Sequence, residues 1–364
     1  MQNGANSDDL LGGERADVPS ADDVKRSETI AKSLHGEDAA RDPRTSREPG
    51  GRYLMAMIFG GAFVLAAFMG LLHGLRLTGH LPPPALSNSV CIDEKLQFLR
   101  NMPAADPNLL IVGSSVAWRG IDGAVIEEAA PGAEPLNGGF CGLQANQSAF
   151  VTDWLVSHYP GTRAIVMLAV PQDFVDCTTA RTEVFDPTEA DAYVFSRAWL
   201  WGFYFRYFDP VSLIRNAVKI AAQRGNRIPL DPLVFTKTGD GPLDTSTTRS
   251  TLGDGAMTSF DASCFVALHD MAKRAAATGR RFTIVQMPIK PEWSRSYDPQ
   301  GKVHDLFEGK IDEALSGTGG ERWDAGTHTA LPESAFTDAI HLRWSAVPQL
   351  SRAIALQVLP ADGL

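Results

Sequence analysis

The sequence predicts an α/β chain in which a parallel sheet is covered by helices on both faces, preceded by one helix long enough to cross a membrane. Three observations carry that reading. Short apolar runs of strand length alternate with segments of helix length, as strand–crossover–strand units require. The run Ala164–Val170 is almost wholly apolar, as a strand buried on both faces must be. Residues Tyr53 to Leu75 contain no Asp, Glu, Lys or Arg in 23 positions. As a helix they extend about 34 Å, against a hydrocarbon core of about 30 Å.

The elements follow in order. Residues 1–52 lack apolar periodicity and are rich in Asp, Glu, Arg, Ser, Gly and Ala, so a disordered tail is expected there. The span at 53–75 follows. Arg41, Arg44, Arg47 and Arg52 precede it closely, and only Arg76 and Lys95 follow within 20 residues. This cation bias puts the N-terminus in the cytoplasm and the large domain outside a bacterial plasma membrane. Residues 76–105 read as a stalk, stiffened by Pro82-Pro83-Pro84, with a short helix at Ile92–Arg100. Strands are expected at Asn108–Val112, Glu134–Asn137, Ala164–Val170, Phe282–Met287 and Trp323–Thr327. Helices are expected from the first turn after Val112 through Ala130, at Gln144–His158 (ended by Pro160-Gly161), at Phe265–Ala277, and from Ser345 to about Leu359.

Residues of about 180–262 break this rhythm. Nine of the 16 residues from Tyr193 to Phe208 are aromatic, out of 31 in the chain. Three readings fit: a membrane-interface or acyl-binding element, a sugar-stacking platform, or an inserted helical hairpin with its own small core. Gly239–Thr258, rich in Gly, Asp, Ser and Thr, reads as a mobile loop.

The net charge of −10 over 364 residues gives no basic surface for nucleic acid. The four cysteines, Cys91, Cys141, Cys177 and Cys264, all lie on the extracytoplasmic side of the expected span, where disulfides persist. Cys141 and Cys177 each closely follow an expected strand, so a Cys141–Cys177 pair is expected, with free thiols the alternative. No Cys-x-x-Cys, His-Glu-x-x-His or Gly-rich phosphate loop occurs, so no metal or cofactor is expected.

Three separated segments carry chemistry. Gly113-Ser114-Ser115 follows an apolar strand and opens a helix, a place where a serine is exposed at the carboxyl edge of a sheet, or merely caps the helix. Asn137-Gly138-Gly139-Phe140-Cys141-Gly142 follows the second strand, with Asn137, Gly139 and Gly142 in an Asn-x-Gly-x-x-Gly spacing. Near the C-terminus, Asp338 stands three residues before His341. On one turn of chain the carboxylate can fix the imidazole tautomer, and His341 can then take the proton of Ser115.

This order, serine first and Asp-x-x-His just before the last helix, resembles the SGNH (GDSL-like) hydrolase family over about residues 106–364, less the insertion. The resemblance implies a flavodoxin-like three-layer parallel sheet. It makes Ser115 the nucleophile, with Ser114 in place of the family's Asp, and His341 and Asp338 the rest of a triad. Gly142 matches an oxyanion donor, and Asn137 and Gly139 belong to the same block. The family's Gly-x-Asn-Asp block corresponds to Val170-Pro171-Gln172-Asp173, where Gln172 replaces an oxyanion-donating Asn with the same amide on a longer arm. That departure suits membrane-anchored relatives that acylate envelope polysaccharides. The implied chemistry is serine-dependent acyl transfer to or from an extracytoplasmic glycan, beside a multi-pass membrane O-acyltransferase. The alternatives are a carbohydrate or lipid esterase and a non-catalytic glycan-binding scaffold.

Overall fold

Hydropathy alone builds the first element. In the computed structural model, which describes residues 49–103, 106–178, 184–207, 209–225, 232–244, 255–257 and 259–359, helix α1 runs Pro49–Leu77. It exceeds the expected span by a turn or less at each end. The helix is long and apolar enough to cross a membrane, and its apolar side chains from Tyr53 to Ala67, such as Phe63, are exposed. The expected disordered tail lies almost wholly outside the described residues. The chain divides into two units, residues 1–70 and 71–364.

In the larger unit, α2 (Val90–Asn101) leads into β1 (Leu109–Gly113), α3 (Ser115–Arg119) and α4 (Gly123–Ala129). The single helix expected to Ala130 is broken at Gly120, and Asp122 caps the second piece by accepting the Ala124 N–H. Then come β2 (Pro135–Asn137), α5 (Ala145–His158) and β3 (Ala164–Ala169). The inserted region holds α6 (Pro187–Val194), α7 (Leu200–Arg206) and α8 (Pro210–Gln223). The core resumes with α9 (Ala262–Ala277), β4 (Arg281–Gln286), α10 (Pro291–Tyr297) and α11 (Lys302–Leu315). It closes with β5 (Glu321–Asp324), α12 (Ala325–His328) and α13 (Val347–Gln357). The fifth strand stops earlier than expected, because the Asp324 side chain accepts the Gly326 N–H and starts a helical turn.

All strand pairs are parallel, in the order β2-β1-β3-β4-β5. This is the flavodoxin-like doubly wound order, with its switch point between β1 and β3. The pleat divides the strands between two cores. Leu110, Val112, Ile165, Met167 and Ile284 face the layer of α5, α9 and α11. Leu109, Ile111, Val166, Leu168 and Val285 face α3, α4 and α13. The three-layer architecture is therefore built by the period-2 alternation of uniformly apolar strands.

Three expectations are corrected. The cysteines pair as Cys91–Cys141 and Cys177–Cys264, not Cys141–Cys177. Cys177 and Cys264 belong to the large core, whereas Cys91 and Cys141 pack on a separate cluster of Trp118, Ile220 and Leu233. Following a strand therefore did not bring Cys141 and Cys177 to the same side. The presumed stalk is part of the domain: Leu96 and Leu99 of α2 are buried in the core. Finally, the part of the presumed mobile loop from Gly239 to Leu243 is buried. There the Asp240 carboxylate accepts from the Gly123 N–H (2.9 Å), the Asn137 amide (2.9 Å) and the hydroxyls of Thr236 and Thr238.

Candidate active site

The strand–turn–helix at Gly113 sets the position of Ser115. Gly113 has φ +136°, and a Cβ there would lie 2.3 Å from the Leu168 carbonyl oxygen on β3. Only glycine lets β1 run this close to its neighbour and then turn sharply. Ser114 caps α3, its hydroxyl accepting the Val116 N–H, and Ser115 is the first residue of the helix.

Asp338 and His341 arrive from the other end of the chain on an irregular segment. A Phe336–Leu342 bridge closes its base, the Thr337 N–H donates to the His341 carbonyl (2.9 Å), and the Lys290 N–H donates to the Ala339 carbonyl (2.9 Å). The Asp338 carboxylate folds back on its own segment, accepting the Ile340 N–H at 3.0 Å and the His341 N–H at 2.7 Å. It also receives His341 Nδ1, at 3.0 and 2.8 Å from its two oxygens. A carboxylate can only accept, so Nδ1 carries the proton and Nε2 is left with its lone pair. Ser115 Oγ lies 2.8 Å from that Nε2. Burial alone would raise the Asp338 carboxyl. The hydrogen bond from His341, the charge that ring carries when protonated, and the two backbone N–H groups more than offset it and hold the group at about 2. Asp338 is therefore ionised throughout the neutral range.

The remaining sequence-predicted residues fall into two groups. Asn137 is fully buried. Its amide donates to the carbonyls of Ala117 (3.0 Å) and Trp118 (3.2 Å), and its own carbonyl accepts the Gly139 N–H (2.9 Å). A Cβ on Gly139 would meet the Trp118 nitrogen at 2.6 Å. Asn137 and Gly139 thus fasten the glycine block to the end of α3. Gly142, at φ +67°, has open space around it. Gln172 lies in the 3-10 turn Pro171–Phe174 after β3, and both atoms of its amide are buried without a hydrogen-bond partner. Next to it, burial pushes the Asp173 carboxyl up to about 7, against hydrogen bonds from the Val170 N–H and the Ser114 hydroxyl. Asp173 thereby joins the third block to the Ser114–Ser115 turn.

Sequence reading missed the loop that clasps α3 from below. The Gly241 N–H donates to the Trp118 carbonyl (2.8 Å), and fully buried Lys95 donates to the Gly239 carbonyl (2.7 Å). Burial brings the Lys95 ammonium down to about 7, with the Asp240 charge opposing. The only local signal was a Thr-x-Thr-Gly-Asp-Gly run, whose partners beyond the run itself, Lys95, Trp118, Gly123 and Asn137, all lie far away in sequence. One group that could hold a metal occurs among the described residues. His304, Glu308 and Asp324 bring ligand atoms within 4.8 Å of one another, and the Arg322 guanidinium already pairs with Glu308. None of them is a sequence-predicted site residue.

No protein-family model and no curated protein matches the chain. Among solved structures, it is similar to an aryl esterase of M. smegmatis in an inhibitor-bound form, at 11% identity and a TM-score of 0.36, covering 69% of this chain and 97% of that one. It is also similar to Est24, a carbohydrate acetylesterase from Sinorhizobium meliloti, at 12% identity and a TM-score of 0.35, with 69% and 97% covered. A further carbohydrate acetylesterase family member from that organism matches at 11% identity and a TM-score of 0.32, with 69% and 96% covered.

Proposed function

We propose that this chain is a membrane-anchored serine acyltransferase or esterase of SGNH type, acting on an acylated extracytoplasmic glycan. One observation carries the reading: the unbroken relay from Ser115 Oγ through both nitrogens of His341 to an ionised Asp338. Ser115 Oγ attacks the ester carbonyl as its proton passes to His341 Nε2. The C–O bond to the alcohol then breaks, and His341 returns the proton to the leaving oxygen. A sugar hydroxyl or a water, deprotonated by the same Nε2, resolves the acyl-enzyme. Asp338 holds the ring tautomer and stabilises the imidazolium. The oxyanion falls to the Ser115 N–H, the Gly142 N–H and the Gln172 amide. The orphaned amide of Gln172 supports its role, since a buried unpaired amide costs about 1–3 kcal/mol and a bound oxyanion would satisfy it.

Helix α1 anchors the domain, with the cation bias placing it outside the plasma membrane. One span cannot carry acyl groups across a bilayer, so a transferase would work with a multi-pass O-acyltransferase that does.

The test is covalent labelling of the full chain in detergent with a fluorophosphonate, the adduct being located by mass spectrometry. An adduct on Ser115 that disappears in His341→Ala is expected. No adduct on folded protein would remove the enzyme reading. Turnover of an activated acetyl ester with and without an oligosaccharide acceptor then separates transferase from esterase.

A further inference from the structure

Helix α8 is two-sided in a way the catalytic domain does not need. Its inner side buries Ala217 and Ile220, and Ile220 joins Leu233 and Trp118 of α3, the helix that Ser115 begins, in one small buried cluster. Its outer side carries Val211, Ile214 and Val218, which are 70%, 61% and 74% exposed. Their spacing of three and four residues makes one stripe along the helix. Exposed Arg215 and Lys219 flank that stripe. The fourteen residues contain no carboxylate, in a chain of net charge −10.

The place of α8 is fixed by the residues that follow α1. The Arg224 guanidinium, just past the end of α8, donates to the carbonyls of Gly79 and Leu81 and pairs with Glu94. From α7, the Tyr204 hydroxyl donates to the Pro82 carbonyl (2.6 Å), and Trp201 lies under the Arg76 guanidinium. The first residues after the apolar helix are thereby tied to both α7 and α8.

We propose that α8 is an interfacial helix. Its Val211–Ile214–Val218 stripe seats in the outer boundary of the bilayer that α1 enters, with Arg215 and Lys219 on anionic headgroups. The inference rests on the membrane anchoring proposed above. A bilayer fits better than a second copy of the chain. Three side chains cannot supply the roughly 800 Å² per partner of a stable protein interface, whereas a short apolar stripe with cationic flanks is what an interfacial helix presents. Exposed Trp199, just before α7, adds a residue type that favours the headgroup zone. Because Ile220 shares a buried cluster with Leu233 and Trp118, such a helix holds the nucleophile helix at the membrane surface, within reach of a lipid-borne acyl donor.

The test uses the full chain in phosphatidylethanolamine–phosphatidylglycerol vesicles. All four native cysteines are in disulfides, so a nitrobenzoxadiazole maleimide labels only the new thiol of Val218→Cys, or of Val266→Cys at an exposed position of α9 as a reference. Nitroxide lipids labelled near the headgroup should quench the probe at 218 several-fold more than at 266. Adding Val211→Glu and Ile214→Glu should bring the two sites level. Equal quenching at 218 and 266, or probe contact between two copies at 218, overturns the inference. An alkaline carbonate wash separates the two readings. A chain that stays in the membrane with an unquenched 218 probe removes only the interfacial helix. A chain that washes off removes the anchoring and the helix together.

Discussion

The two halves of the relay are held by opposite means. The Ser115 turn is fixed by close packing: Gly113 sits against the Leu168 carbonyl and Gly139 against the Trp118 backbone, where no Cβ fits. The Asp338–His341 segment has little regular structure and is fixed by hydrogen bonds that Asp338 makes to its own neighbours. The difference teaches which substitutions should unfold the domain and which should silence it while leaving it folded. A methyl group at the first site disturbs the sheet. An amide at the second changes only which proton sits where.

The largest effect expected is from Gly113→Ala. The added Cβ meets a strand carbonyl at 2.3 Å, at a φ of +136° that L-residues rarely adopt. Strain and overpacking together should cost about 3–5 kcal/mol. Thermal unfolding of the full chain in detergent should show a midpoint lowered by about 10 °C. A midpoint within a degree or two of wild type would mean that packing does not set the Ser115 turn. Asp338→Asn should do the reverse. Asn can present its amide N–H to Nδ1 and so favour the wrong tautomer, and acylation of Ser115 should fall by about 10⁴-fold. The unfolding midpoint should barely move, because the asparagine oxygen still accepts the Ile340 and His341 N–H groups. A measured fluorophosphonate rate close to wild type would break the relay as a mechanism.

Much of this contrast was legible in the sequence. Uniformly apolar runs marked the strands, and glycine, serine and Asp-x-x-His spacings marked the site, because strands and tight turns are local properties. What escaped was set by distant partners. Asp240 looked like loop composition until Gly123 and Asn137 were seen around it. Asn137 was placed in the glycine block by spacing alone, and the partners of its amide, the α3 carbonyls and Asp240, are distant in sequence. The cysteine pairing depended on which core cluster each thiol enters, which chain proximity to a strand does not encode. Helix α11 was missed despite Phe307, Ile311 and Leu315 at four-residue spacing, a helical stripe that the sequence does contain.

Gln172 sharpens the comparison from a third side, since its packing and its proposed chemistry pull apart. Its amide has no partner in the folded chain. Gln172→Ala should therefore hold or raise stability, by up to about 1–3 kcal/mol, while lowering acylation by about 10²–10³-fold, as removal of an oxyanion donor does. Both readings come from the same preparation, as an unfolding midpoint and a labelling rate. Loss of stability with an unchanged rate would show that Gln172 packs and does nothing more.

Asp173 gives the smallest and most graded effect, and it tests the join between the two means of support. Its carboxyl is raised from 3.8 to about 7, by burial first, against hydrogen bonds from the Val170 N–H and Ser114. A folded-state value above the unfolded one means that the folded chain holds the proton longer. The resulting stability is complete below pH 3.8 and is lost as pH rises through about 7. From pH 6 to pH 7 the unfolded chain is already ionised at this residue while the folded chain resists. Wild type should therefore lose about 1 kcal/mol relative to Asp173→Asn, which does not titrate. That difference should read as a fall of about 2–4 °C in the gap between the two midpoints. Two curves that stay parallel across this window would mean that Asp173 keeps its charge beside Ser114. The Ser115 turn would then owe its position to an anion under it as well as to packing.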